Sequence, residues 1–386
     1  MTPTITIGFS PRERFVTAAE SLASLYEHTP PPFELLVVDA ATPPRYLAQM
    51  QEVLAGHDNW RMLSSDRHLL PAAAKNAVLA EATGDYLCIV ENDNLFTDGW
   101  LDALVAACEE FPADVACPLI REGRGETEHF DRHLGSLVRA AEGGWEILPL
   151  DGPRNAVTER TRVTFVEQHC LLFRRSVFER IGRFDEELNT RDEIDLSLAL
   201  HHAGATVVLE PRAVVNYIPP SERPEEDELE FYAMRWDLDR AVASRERIRR
   251  RWDLVETPGD LGFVRYRNLI PTLPAVRADL ERLAGDGGPL VLLDDGDWLG
   301  SEVTAGLPIE HFPSRDGVFW GFPDSGEDAL RDLDDAVNSG ATHLVVAWPG
   351  RWWLDELPEL RAAVERLGPP VLDDDRLQVY ALSRRS

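Results

Sequence analysis

Along the first 220 residues, short apolar runs alternate with stretches whose apolar positions recur every three or four residues. "TITIGFS" reads as a strand, and a helix follows from about Phe15 to Glu27. "FELLVVDA" is the continuous apolar run of a parallel strand buried on both faces. A helix around Pro44 to Leu54 and a short strand near "WRMLSS" come next. "PAAAKNAVLAEATG" is helical, with Pro71 near its start and Gly84 as its stop signal. The strand "DYLCIV", a helix from Trp100 to Glu110 and the strand "DVACPLI" continue the rhythm. Such β-α-β-α alternation predicts an α/β fold, a mostly parallel, doubly wound, Rossmann-like sheet. Sheets of this kind bind ligands at the carboxyl ends of their strands, where Asp39, Glu91 and Asp93 fall.

From Arg121 to Arg160 the pattern breaks into Gly-, Arg- and Glu-rich sequence, expected as loops and short elements over the site. Order resumes with "RVTFVEQHCLLFRRSVFERIG", a strand and a helix stopped by Gly182. "FDEELNTRDEIDLSLALHHAG" gives a loop and a second helix, and "ATVVLEP" a strand. "PPSERPEEDELE" reads as an acidic linker opening one long helix that runs to "SRERIRRRWDL". Beyond "NLIPTLP" the strands "GPLVLLDDGDW", "THLVVAWPG" and "RLQVYALS" alternate with two helices, a small α/β unit of its own. The expected division is 1–220, a linker with a long helix over 221–272, and a C-terminal domain over 273–386.

Charge narrows the partners. A formal net charge of -29 argues against nucleic acid and against broad contact with an anionic membrane. Lys75 is the only lysine. Cys88, Cys108, Cys117 and Cys170 lie far apart without a CxxC pair, so buried free thiols are expected and a zinc site is not. No apolar run is long enough to span a bilayer, and "MTPTITIGFS" lacks the basic start and apolar core of a signal peptide. The chain is therefore expected in the cytoplasm, with the inner membrane face as a place of peripheral docking.

The chemistry concentrates in "VENDN", where a buried strand ends in Glu91, Asn92, Asp93 and Asn94. Two carboxylates at that spacing can share one hard divalent ion together with phosphate oxygens. They are equally ordinary turn residues, and for an isolated "END" turn chemistry is the better reading.

Several other segments change that balance. "FELLVVDAAT", "KNAVLAEATGDYLCIVENDN", "GWLDALVAA", "FRRSVFERIGRFDEEL" and "DEIDLSLALHHAG" resemble, in order and spacing, family 2 glycosyltransferases with the GT-A fold, over about the first 220 residues. The resemblance implies a nucleotide-diphosphate-sugar donor, a divalent cation (Mg2+ or Mn2+) and inverting transfer to the hydroxyl of a glycan, lipid-linked or small-molecule acceptor. By position, it places Asp39 and Ser10 near the base or ribose and Lys75 and Asn76 on the diphosphate side. Glu91 and Asp93 match the DxD metal site, with glutamate in place of the first aspartate. Asp192 and Glu193 match the family's Glu-Asp pair in reversed order, which puts Glu193 where the base is expected and Asp192 in reserve. A carboxylate opposite the leaving diphosphate takes the acceptor proton in such a transfer. Asp195 is expected on the acceptor side, or as a brace for its helix.

The sequence also departs from the pattern. Asn216 stands where many members carry a metal-binding histidine, and it offers a carbonyl oxygen in its place. His169 is expected as an acceptor-side contact, a partial substitute in the metal shell, or a hydrogen-bonded strand-end histidine, the last being the ordinary case. "IGFSPRER" replaces the usual first-strand ending. The basic helix end "SRERIRRRW" is expected to pair with the acidic "PEEDELE", and the tryptophans of "WPGRWW" are expected in a core. Two other classes stay open: a nucleotidyltransferase and a non-catalytic nucleotide-sugar binding module.

Overall fold

Four parallel strands, β1 (Ile5–Ser10), β2 (Glu34–Ala40), β3 (Trp60–Ser65) and β4 (Tyr86–Glu91), form one half of the main sheet in the order β3-β2-β1-β4. The structure is a computed structural model that describes residues 3–124, 135–139, 145–149, 157–166, 168–218, 223–254, 261–285, 288–315, 317–338 and 340–382. Much of the irregular stretch expected between Arg121 and Arg160, and the start of the acidic linker at 219–222, lie outside the described residues.

Helices α1 (Ala18–His28), α2 (Pro44–Leu54) and α3 (Pro71–Glu81) make the crossovers. Pro44 and Pro71 open their helices, where a missing N–H costs nothing. Past β4 come β5 (Asn94–Phe96), α4 (Trp100–Glu110), β6 (Val115–Glu122) and a separate hairpin of β7 (Gly135–Arg139) and β8 (Trp145–Pro149). They are followed by β9 (Thr161–Val163), β10 (Cys170–Arg174), α5 (Phe178–Ile181), α6 (Asp192–His202) and β11 (Val207–Tyr217). The sheet continues β4-β10-β6-β11-β5, with β9 also on β11, to nine strands. Here it is mixed: β10 runs antiparallel to β4 and β6, while β11 is parallel to β6 and antiparallel to β5 and β9.

Alternation along the strands fills two apolar layers. Leu35, Val37, Cys88 and Val90 pack beneath α1, α2 and α4 with Leu22, Met50 and Trp100. Leu36, Val38, Leu87 and Ile89 pack on the other face with Val78 of α3 and Leu196 and Leu200 of α6. Gly8 permits the approach of α3, because a Cβ there would lie 2.3 Å from Val78 Cγ1. That approach sets α3, which carries Lys75, directly on the central strands.

After β11 the expected single long helix is two, α7 (Leu229–Arg235) and α8 (Leu238–Arg251). Asp237 breaks it by capping α8, its carboxylate accepting from Arg240 N at 2.7 Å. Asn189 fixes the break by donating to the carbonyls of Arg235 and Asp237. Arg247, Arg249 and Arg250 of α8 also pair otherwise than expected. Arg249 and Arg250 reach Glu246 one turn back, and Arg247 reaches Asp185 and Glu187. The acidic run instead meets Arg45 through Asp227 and Glu225.

The chain forms two compact units, Met1–Val264 and Arg265–Ser386, and α9 (Gly262–Leu269) spans the division. In the second, α10 (Leu273–Gly285) precedes β12 (Leu290–Leu293), β13 (Ile309–His311) and a short hairpin of β14 (Ser314–Arg315) and β15 (Val318–Phe319). Then come α11 (Gly326–Asn338), β16 (His343–Ala347), α12 (Trp352–Glu356), α13 (Pro358–Glu365), β17 (Leu372–Asp373) and β18 (Leu377–Ala381). Its sheet has the order β13-β12-β16-β18-β17, parallel across the first three strands. Trp353 is fully buried, in line with the expected core role. Trp352 is not: it is 43% exposed and stacks on Phe322 at 4.9 Å between centroids. Among the described residues, no helix is long and apolar enough to cross a membrane.

Candidate active site

The four polar residues that end β4 divide into two pairs with different tasks. Asn92 and Asn94 build the backbone. Asn92 Oδ1 accepts from Arg12 N at 3.2 Å, its amide donates to Arg14 O at 2.5 Å, and its carbonyl accepts from Thr17. Asn94 donates to the carbonyls of Glu91 and His169. These bonds fix the loop after β1 and the start of β10 against the end of β4. Glu228 holds the same loop from the far side, fully buried, taking Arg14 at 2.6 Å and the backbone N–H groups of Phe15 and Val16.

Glu91 and Asp93 are left facing the site. With His169 they form a group whose ligand atoms all lie within 4.8 Å of one another, each residue buried. Strand alternation puts Glu91, in step with Leu87 and Ile89, on the same sheet face as Asn216, which follows Val214 by two. The buried Oδ1 atoms of Asp93 and Asn216 have no hydrogen-bond partner. Buried oxygens without partners are costly unless something else meets them. Two carboxylates, an imidazole and a spare amide oxygen are a donor set that suits a divalent ion such as Mn2+ or Mg2+.

Two cations contact the carboxylates, and a third lies nearer Asp192 and Glu13. Lys75 Nζ, 1% exposed, lies 3.3 Å from Glu91 Oε1 and 3.2 Å from Asp192 Oδ2, and it donates to Gln168 Oε1. Burial opposes its charge, but Asp192 and Glu91 outweigh that and raise its pKa. Arg12 Nε lies 3.1 Å from Glu91 Oε2, and Arg12 Nη1 lies 3.9 Å from Asp93 Oδ2. Its guanidinium carbon is 5.0 Å from the centre of the Tyr217 ring. Burial favours neutral Glu91, yet Arg12 and Lys75 hold its carboxyl well below the usual range. Asp93 goes the opposite way, pushed up by burial and by the Glu91 charge against the pull of Arg12. Arg235, buried on α7, is the third cation, its pKa lowered by burial despite Asp192 and Glu13.

The N-terminus of α6 carries Asp192, Glu193 and Asp195 in its first turn, where carboxylates are favoured by the helix dipole. Asp192 is tied to Lys75 and so to Glu91. Glu193 is partly exposed, with Arg191 Nη1 at 3.9 Å. Asp195 faces inward and braces α6 on the end of α8, accepting from Arg251 at 2.8 Å and from Trp252 Nε1 at 2.7 Å. Burial raises its pKa, with Trp252 and Arg251 pulling down.

Other expected residues have more local partners. Asp39, next to last in β2, accepts from Thr42 N at 3.0 Å, and the Ser10 hydroxyl lies against Val90 O. Asn76 exchanges hydrogen bonds with the backbone of Phe184 and donates to Glu186. His169 stands with Glu91 and Asp93, its ring 4.0 Å from that of Tyr217. Arg12, Gln168, Tyr217 and Arg235 were not singled out by the sequence. Arg12 sits within "IGFSPRER", whose departure from the usual pattern was the signal available.

A buried carboxylate–imidazole cluster thus stands at the strand carboxyl ends, linked by Lys75 to the carboxylate-bearing N-terminus of α6. The model of glycosyl transferase family 2 matches residues 13–182. An N-acetylglucosaminyl-diphospho-decaprenol L-rhamnosyltransferase of Mycobacterium tuberculosis is 30% identical over 239 residues, covering 55% of this chain and 74% of that protein. The chain belongs to glycosyltransferase family 2. A pre-mycofactocin glycosyltransferase of the same organism is 27% identical over 168 residues; the match covers 43% of this chain and about a third (34%) of that relative. Among solved structures, GalNAc-T7 with UDP, GalNAc and Mn2+ superposes with a TM-score of 0.49 at 18% identity, covering 69% of this chain and 53% of that one.

Proposed function

We propose that the protein transfers a sugar, with inversion, from a nucleotide-diphosphate sugar to the hydroxyl of a glycan, lipid-linked or small-molecule acceptor. The observation that carries this reading is the Lys75 bridge from Glu91 to Asp192, which puts the proposed diphosphate end of the site next to the proposed base. Glu91, Asp93, His169 and the carbonyl oxygen of Asn216 hold a divalent ion. When bound, the ion offsets the charge that grows on the departing diphosphate.

The chain's own groups do the rest. Lys75 keeps a positive charge beside Glu91 and holds Asp192 in place. Glu193, the proposed base, takes the proton from the acceptor oxygen as that oxygen bonds to the sugar. Asp195 fixes the orientation of α6 beneath it. Asp39 and Ser10 line the nucleotide end, and Asn76 shapes the loop at 184–186. The proposed setting is cytoplasmic, at the membrane's inner face where the acceptor is lipid-linked.

The test is nucleotide release from a panel of UDP-, GDP- and dTDP-sugars, with Mn2+, with Mg2+ and with chelator. Wild type releasing nucleotide well above Glu193→Gln supports catalysis. Donor binding with equal, negligible release by both proteins identifies a binding module instead, and pyrophosphate release from a nucleoside triphosphate identifies a nucleotidyltransferase.

A further inference from the structure

Arg12 touches the proposed metal ligands that carry negative charge. Its Nε is 3.1 Å from Glu91 and its Nη1 3.9 Å from Asp93, with Nη1 also 3.1 Å from His169 Nε2. A guanidinium this close to two carboxylates opposes the entry of any other cation among them. It also presents a planar fork of donors that matches phosphate oxygens.

Lys75 and Arg12, both on Glu91, are held differently. Lys75 is buried on a helix, with Gln168, Asp192 and Glu91 around its ammonium. The Arg12 side chain is 17% exposed and lies on a loop. That loop is pinned through its backbone, at Arg12 N by Asn92 and at Phe15 N and Val16 N by Glu228. The Arg12 side chain can therefore turn away by rotamer change while its backbone stays in place. Such turning is fast compared with any rearrangement of the sheet.

We infer that Arg12 is a tethered counter-cation that changes partners when the donor binds: it gives up Glu91 and Asp93 to the divalent ion and takes oxygens of the donor diphosphate. The inference rests on the reading that the site takes a nucleoside diphosphate. Charge explains the exchange. Metal alone must displace Arg12 from Glu91 and Asp93 and leaves its guanidinium only Glu13, 3.8 Å from its Nε, as an anion. Metal together with diphosphate supplies another. Metal and nucleotide therefore strengthen one another's binding, and Arg12 is the residue that couples them.

The experiment is calorimetric titration of the full chain with Mn2+, alone and then with saturating UDP, GDP or dTDP, for wild type, Arg12→Gln and Arg12→Lys. Thermal unfolding checks that each variant is folded. In wild type, nucleotide tightens Mn2+ binding by about tenfold or more, within the usual range of coupling between sites. Arg12→Gln, without the charge, binds Mn2+ alone about five- to tenfold tighter than wild type and loses most of the tightening by nucleotide. Arg12→Lys keeps the charge and stays near wild type for Mn2+ alone, an ordering by charge that a merely structural role does not produce. Equal or weaker Mn2+ binding by folded Arg12→Gln overturns the inference. If that variant binds Mn2+ tighter but no nucleotide binds any of the three proteins, the partner exchange is overturned through the donor reading, with Arg12 remaining a competitor of the metal.

Discussion

Lys75 on α3 and Asp192 at the start of α6 meet at 3.2 Å, joining two helices that are 117 residues apart in the chain. The lysine is almost wholly enclosed, and its remaining ion-pair partner among the contacts described is Glu91. Removing one member of a buried ionic network leaves uncompensated charge and costs about 3 to 5 kcal/mol. Lys75→Met is expected to lower unfolding stability by about that amount and to abolish nucleotide release. Urea denaturation measures the first effect and the donor assay the second.

Glu193 is partly exposed, with Arg191 Nη1 at 3.9 Å. Its replacement by glutamine is expected to leave stability nearly unchanged. The turnover rate falls by about 100- to 10,000-fold, the usual contribution of a positioned base. Binding of nucleotide, followed by thermal shift, stays at the wild-type level.

His169 separates the metal reading from that of an ordinary strand-end histidine. His169→Ala is expected to weaken Mn2+ binding by about tenfold or more, on the scale of losses around metal centres. Titration of Mn2+ in the presence of nucleotide measures it, and an unchanged affinity removes His169 from the ligand set.

Glu210 gives a pH-dependent prediction away from the site. Burial alone would raise its pKa, but hydrogen bonds from Arg212 and Arg160 outweigh it and hold the carboxyl down to about 2. The native value lies below the unfolded one of 4.5, so the stabilisation is complete above about pH 4.5 and is lost as pH falls through the native value. Glu210→Gln is expected to be less stable than wild type by about 2 kcal/mol at pH 7. Denaturation series between pH 7 and pH 2 should show that difference shrinking as the solution is acidified.

Local pattern carries most of the fold. Buried strands such as "FELLVVDA" have continuous apolar runs because both faces are covered, and the proline helix starts are equally local. The break between α7 and α8 was hidden because it needs Asn189, distant in sequence, to hold the carbonyls on either side. The pairing of α8 arginines with Glu246 rather than the acidic run follows from helical spacing, which acts at shorter range than the charge blocks suggest.

The alternating α/β order, the position of Glu91 and Asp93 at a strand mouth, and the carboxylates opening α6 were legible along the chain. Each depends on residues close together in the chain, where periodicity and capping are decided. The partners came from folding: Lys75 between Glu91 and Asp192, His169 beside Asp93, and Arg12 over the carboxylates. Those contacts join the loop after β1, α3, the end of β4, the residue before β10 and α6, and their charges interact through space rather than along the chain. The same "VENDN" thus contains two amides that build the backbone and two carboxylates kept for chemistry, a division set by what the fold packs against each one.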